Sequence, residues 1–177
     1  MSKELVINST SGKVEIALLE EGQLVELHRD QGDKAYVVGD IFLGRVRKVL
    51  PSLNAAFVDV GHERDAFLHY LDLGPQYRTQ QKYVKRVMQG KQPVPDLGNF
   101  KKEAEIIKEG KIKDEVSSSQ LVLVQVAKEP ISSKGPRLTA EVTLPGRYIA
   151  LVPFSDKVSL SRRIRSEEER KRLKRLM

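Results

Sequence analysis

Hydrophobic and polar positions along the chain fall into period-two runs separated by turn-forming residues, the pattern of short β-strands. Residues 4–28 read as the strands ELVIN, KVEIALL and QLVELH, with Glu20, Glu21 and Gly22 turning between the last two. Val14, Ile16 and Leu18 alternate with polar or small residues, so one face needs a cover. A hairpin of this size is marginal alone in water and is expected to join a larger sheet. From Gly39 the strands become denser: GDIFLGRVRKVL, NAAFVDVG and DAFLHYLDL, then, after a long interval, QLVLVQVAKE and PRLTAEVTL. Five strands with short early turns and one long connection between the third and fourth fit a five-stranded OB-fold barrel, a fold that commonly takes single-stranded nucleic acid. The expected fold class is mainly β with some α. Gly44, inside the first barrel strand, suits a bulge or tight bend.

The interval 74–119 is too long for a plain loop in a compact domain. KYVKRVM predicts one or two helical turns, and FKKEAEIIKEGKIK has helix-forming composition with Gly110 as its stop. KQPVPDLGN between them is turn-rich, and SSSQ closes the excursion, so the interval reads as a partly helical insertion. The chain ends in RSEEERKRLKRLM, where Ser166 and Glu169 form a capping-box signature and Leu173, Leu176 and Met177 share a helical face. That face stops without a cap, so continuation past Met177 is expected. No internal repeat is visible.

Alternation also locates the aromatics. Ala56, Val58 and Val60 point one way, and Ala55, Phe57 and Asp59 the other. In DAFLH, Ala66 and Leu68 form the apolar set while Phe67 sits with Asp65 and His69. Two phenylalanines on the polar faces of adjacent strands are out of place as core, because burying them would bury their charged neighbours. Exposed aromatics near basic groups stack unpaired bases, at about 1–3 kcal/mol per base. The competing reading is that strand twist or a bulge returns one or both rings to the core. KEPISSKGPRLT places Lys128, Lys134 and Arg137 around a Ser-rich loop, where cations can line a phosphate backbone and Ser132 and Ser133 can donate to it. A solvated hairpin loop is the alternative there.

Composition narrows the classes. The 177 residues are 40% apolar and 31% charged, which is globular, and Cys is absent, excluding a disulfide framework or a thiolate metal site. No run approaches the roughly 18–20 apolar residues of a membrane span, and the N-terminus lacks a signal-peptide core. No membrane association and a cytoplasmic location are expected. Net charge is +7 with pI near 9.6, which suggests an acidic partner such as nucleic acid. Residues 157–177 hold nine Lys and Arg against three Glu, so the tail carries most of that charge. A second excess lies at 74–95, where Arg78, Lys82, Lys85, Arg86 and Lys91 occur with no acid between them. His28, His62 and His69 have no metal-ligand spacing, Asp59 and Asp65 read as solubilising carboxylates on strand edges, and no phosphate-binding glycine loop is present. No catalytic or metal-binding residue is assigned.

Within GDIFLGRVRKVLPSLNAAFVDVGHERDAFLH, residues Gly39, Asp40, Gly44, Val46, Phe57, Val58, Asp59, Gly61, Phe67, Leu68 and His69 resemble the S-one type of OB domain. With KELVINST, VEIALLEEGQLVELH, VQVAKEPISSKGPRLTAEVTLPGRY and LVPFSDKVSLSRRI, nearly the whole chain resembles the ribonuclease E/G family, specifically its ribonuclease G-like members. Ser119-Gln120 stands where the family often has Gly-Gln, and Ala55 where the barrel motif has Gly. The resemblance implies three part-structures: residues 1–36 as the first strands of an RNase H-like subdomain, 37–140 as the OB-fold RNA-binding domain with the insertion 74–119, and 141–177 as the start of a 5′-sensor subdomain. It implies that Phe57, Phe67 and Lys134 hold single-stranded RNA, with Lys128 as a further contact beside the Arg137 already read from the loop, and that Gly146 and Ala150 line a 5′-end pocket. Cleavage carboxylates holding catalytic Mg²⁺ would lie past Met177, so this chain would bind no Mg²⁺ and be inactive alone. The intact protein would be a homo-oligomeric endoribonuclease of RNA processing and decay. A non-catalytic OB-fold RNA-binding module and a protein-interaction scaffold remain as alternatives.

Overall fold

A computed structural model describes residues 2–10, 13–30, 36–91, 100–131, 133–156 and 159–176. The chain divides into two compact units, Met1–Ala35 and Tyr36–Met177. The first is a meander of three antiparallel strands, β1 (Lys3–Thr10), β2 (Lys13–Glu20) and β3 (Gln23–Asp30), in that spatial order. Glu21 and Gly22 turn β2 into β3 with φ of 52° and 76°, the two consecutive left-handed residues of a tight hairpin turn. Leu5, Val6 and Ile7 on β1 and Leu24, Val25 and Leu27 on β3 are exposed, and the central strand is half-buried.

The second unit is built on a closed barrel of β4 (Ile41–Leu50), β5 (Ala55–Asp59), β6 (Ala66–His69), β7 (Leu121–Lys128) and β8 (Arg137–Thr139). The strands pair around the barrel as β4-β5-β6-β8-β7, and β7 returns to β4. Every pair is antiparallel except β6 with β8. The expected five-strand reading holds because period-two alternation fills the lumen: Val46, Ala56, Val58, Ala66, Leu68, Val122, Val124, Val126 and Leu138 are fully buried. Gly44 is where β4 passes close over β5, since a Cβ there would press on the Val58 side chain at 2.6 Å. The register of β4 shifts farther on, between Val46 and Lys48.

The insertion is less helical than its composition. Helix α1 (Tyr77–Met88) starts earlier and runs longer than KYVKRVM, seating Tyr77, Gln80, Gln81 and Val84 in the interior. Residues 101–110 form no helix, and only the single turn α2 (Ile112–Glu115) follows Gly110. Their backbone is claimed by the barrel instead. Asn54 Nδ2 donates to the Gly110 carbonyl at 3.1 Å, Asn54 Oδ1 accepts from the Ile112 N–H at 2.6 Å, and the Tyr70 hydroxyl donates to the Ile107 carbonyl at 2.6 Å. With Ile112 and Val116 in the core, tertiary burial outweighs helix propensity. Gly110, expected as a helix stop, lies against the Tyr70 ring, where a Cβ would overlap the hydroxyl. Most of the turn-rich KQPVPDLGN lies outside the described residues.

Beyond the barrel, three short strands, β9 (Leu144–Pro145), β10 (Ile149–Leu151) and β11 (Ser159–Leu160), form a small sheet in the order β11-β10-β9. Helix α3 (Glu167–Leu176) follows, and Ser166 Oγ accepts from the Glu169 N–H at 3.3 Å, the expected cap. Phe154 packs with Tyr83 of α1 and with Phe100, ring centroids 5.5 and 5.9 Å away. No helix among the described residues is long and apolar enough to cross a membrane.

Candidate nucleic-acid interface

Phe57 and Phe67 are cross-strand partners on β5 and β6. Each is half-buried between fully buried neighbours, Ala56 and Val58 on one strand and Ala66 and Leu68 on the other. The rings therefore lie on the barrel's outer face, and the core reading of them is overturned. Their centroids are 6.1 Å apart at 69°, an edge-to-face pair, and His69 lies 6.4 Å from Phe67 on the same side. His69 Nδ1 accepts from the Leu71 N–H at 3.1 Å, capping the turn Tyr70–Asp72.

Strand register extends this pair into a row. Lys48 of β4 faces Phe57, Arg137 of β8 is in register with Phe67, and Lys128 of β7 faces Arg137. Paired residues share a face of the sheet, so Lys48, Phe57, Phe67, Arg137 and Lys128 cross all five strands on one side. All three basic residues are exposed. Two register shifts make the row possible, one between Val46 and Lys48 and the other between Val126 and Lys128. In an unbroken strand Lys48 would follow Val46, and Lys128 would follow Val126, into the lumen; a bulge re-aims the next residues outward. Lys48 was not visible as a site residue in the sequence, because the only signal for it is that shift.

The cations are not equivalent. Arg137 Nε and Nη2 both donate to Asp72 Oδ2, at 3.0 and 2.8 Å, so its guanidinium is already oriented and partly neutralised. Lys48 and Lys128 have no side-chain partner among the described residues. Lys134 is exposed at the end of a tight turn, bridged to Ile131 through both backbone groups. The neighbouring Gly135 presses on the backbone carbonyls of Arg64 and Asp65, where a Cβ would clash. That contact ties the lysine loop to the β5–β6 connection, a role for Gly135 that its residue type alone did not reveal. Ser133 is exposed, and Ser132 lies outside the described residues.

Asp59 and Asp72 beside the row are occupied. Asp59 accepts from the Gly61 N–H at 2.9 Å and from Arg47 Nη2 at 2.6 Å. The Gly61 N–H first, and then the Arg47 hydrogen bond, hold its carboxyl below the ordinary range. Asp65 is exposed. No group of three or more His, Asp or Glu side chains among the described residues has a metal-binding arrangement. Gly146 and Ala150 lie in the small C-terminal sheet: the Gly146 N–H donates to the Ile149 carbonyl at 2.8 Å, and Ala150 pairs with Pro145 and Ser159. Gly146 is exposed and Ala150 half-buried.

Known proteins resemble this chain along almost its full length. The family model described as Ribonuclease E/G family matches residues 143–177. The chain is 40% identical to Ribonuclease G of Haemophilus influenzae over 98% of its own length and 32% of that protein's. It is 37% identical to Ribonuclease G of Escherichia coli K12 over 100% of its own length and 32% of the relative's. With Ribonuclease E of a Nostoc species it shares 42% identity over 90% of this chain and 19% of that protein. The chain thus spans about a third or less of the length of these curated relatives.

Proposed function

The chain belongs to the ribonuclease E/G family, and on that premise we propose that it is the RNA-holding part of an endoribonuclease that cuts single-stranded RNA in RNA processing and decay. The observation that carries this reading is the outward row of Lys48, Phe57, Phe67, Arg137 and Lys128. Two rings supply stacking surfaces that any base can use, and flanking cations supply the charge that a phosphate backbone needs. Bases stacked on Phe57 and Phe67 must be unpaired, so the platform selects single strands over duplexes. Lys48 and Lys128 meet the backbone on either side, and Lys134 reaches it from its turn. Arg137 contributes only as far as phosphate competes with Asp72. Gly146 and Ala150 are proposed to line a pocket for the RNA 5′ end, where the absence of side-chain bulk admits a nucleotide.

Among the described residues, Asp59 is engaged by Arg47 and Gly61 and no carboxylates cluster in a metal-binding arrangement. In this reading, cleavage belongs to carboxylates outside the chain. A homo-oligomeric, cytoplasmic parent enzyme completes the reading. The test is a fluorescence-anisotropy titration with a short single-stranded RNA and with its duplex. A clear preference for the single strand, with its binding weakened at low salt in Lys48→Gln/Lys128→Gln, is the expected result. Equal binding of both RNAs would overturn the reading.

A further inference from the structure

Residues 74–91 of the acid-free stretch fold into a surface that the barrel row does not use. On α1, residues 78, 82, 85, 86 and 89 follow one another at helical spacing along a single stripe. Arg78, Lys82, Lys85, Arg86 and Gln89 all line one open cleft of about 550 Å³, whose other wall includes Glu103, Glu115 and Gln120. Gln80 and Val84 behind this stripe, and Tyr77 and Gln81 beside it along the cleft, anchor the helix in the interior, so its cations are held on a fixed support. Arg78 and Lys82 are each matched by a carboxylate. Arg78 Nε donates to Glu115 Oε2 at 2.9 Å, and Lys82 Nζ to Glu103 Oε1 at 2.6 Å. Lys85 and Arg86 are exposed and have no carboxylate partner among the described residues. Arg86 instead lies over the Phe100 ring at 5.6 Å, with Tyr83 edge-on to the same ring.

We propose that the Lys85–Arg86 end of this cleft is a second RNA contact, separate from the aromatic row, that takes the phosphate backbone of a long single strand without reading its sequence. The inference rests on the RNA-holding reading above. The observations favour RNA over an acidic protein partner because the cations stand beside half-buried aromatic rings, and the exposed amide of Gln89 adds a neutral donor to the same wall. A cation stacked on a ring keeps its outward N–H groups available for phosphate while its position is fixed. Helix-dipole stabilisation explains cations in the last turn of α1, but not their opening onto a wide cleft shared with Arg78 and Lys82.

The test uses the full chain and two single-stranded RNAs, one of six nucleotides and one of twenty-five, titrated across a salt series. For Lys85→Gln/Arg86→Gln, the log-log salt slope for the long RNA is expected to fall by about 1.4, from roughly 0.7 per phosphate contact. Affinity for it at low salt should fall on the order of tenfold, while the short RNA binds as before. Arg86→Lys, which keeps the charge, should restore part of the slope, and circular dichroism of each variant checks that α1 stays helical. An unchanged slope in a folded double variant would overturn the proposal. So would a double variant that loses poly-glutamate binding but keeps long-RNA binding, which would assign the surface to acidic proteins. If the unaltered chain bound neither RNA, the RNA-holding reading itself would fail.

Discussion

The same period-two alternation builds two different things in the two compact units. In the barrel, closure turns every inward residue toward another, so Leu68 is 0% exposed and the lumen is filled by the strands themselves. In the three-stranded sheet nothing closes: Ile7, on an edge strand, is 59% exposed, and its neighbours Leu5 and Val6, which point to opposite faces, are exposed too. An alternating pattern therefore specifies which residues want burial, while topology decides whether the segment can bury them alone. The barrel can spend its outer face on binding because its inner face is already satisfied.

The largest expected effect that sharpens this contrast is Leu68→Ala. Truncating a fully buried leucine leaves a cavity among close-packed neighbours, so unfolding of the barrel should lose about 2–5 kcal/mol by denaturant titration. Asn54→Ala comes next. It removes the side chain that binds both the Gly110 carbonyl and the Ile112 N–H, at a position of left-handed backbone where φ is 48°. A loss of about 1–3 kcal/mol is expected, with faster hydrogen exchange at Ile112. Ile7→Ala should change stability by less than about 0.5 kcal/mol. A loss as large as that of Leu68→Ala would mean that the sheet face is covered in solution and would break the comparison.

The smallest effect concerns pH. Asp59 has a folded-state value lowered by the Gly61 N–H and Arg47, so its contribution is present above the unfolded carboxyl value of about 3.9 and is lost as pH falls through the lowered one. The Gly61 amide resonance should therefore titrate with a midpoint below about 3.9, and Asp59→Asn should abolish that step. A midpoint at or above 3.9 would show that the Asp59–Gly61 bond is not formed in solution.

How much could be read from the chain follows the same division. The barrel was legible because alternation and closure agree: Ala56, Val58, Ala66 and Leu68 are inside, and Phe57 and Phe67 are outside, as their neighbours dictate. The insertion was not, because a helix-forming composition at 101–109 is overridden by hydrogen bonds from Asn54 and Tyr70, residues far away in sequence. Lys48 was missed for a related reason. Counted from Val46 it belongs to the lumen, and only the register shift against β5 turns it out beside Phe57. Arg137 was found, but its engagement by Asp72 depends on a contact across 65 residues that no local pattern encodes.

The measurement that tests the central claim most directly is a titration of single-stranded RNA against Phe57→Ala/Phe67→Ala, run beside a thermal melt of the same variant. Because both rings lie on the outer face, the account predicts a variant that still melts cooperatively and loses about 1–3 kcal/mol of binding per stacked base. A variant that unfolds, or one that stays folded and binds as tightly as the parent chain, would contradict it.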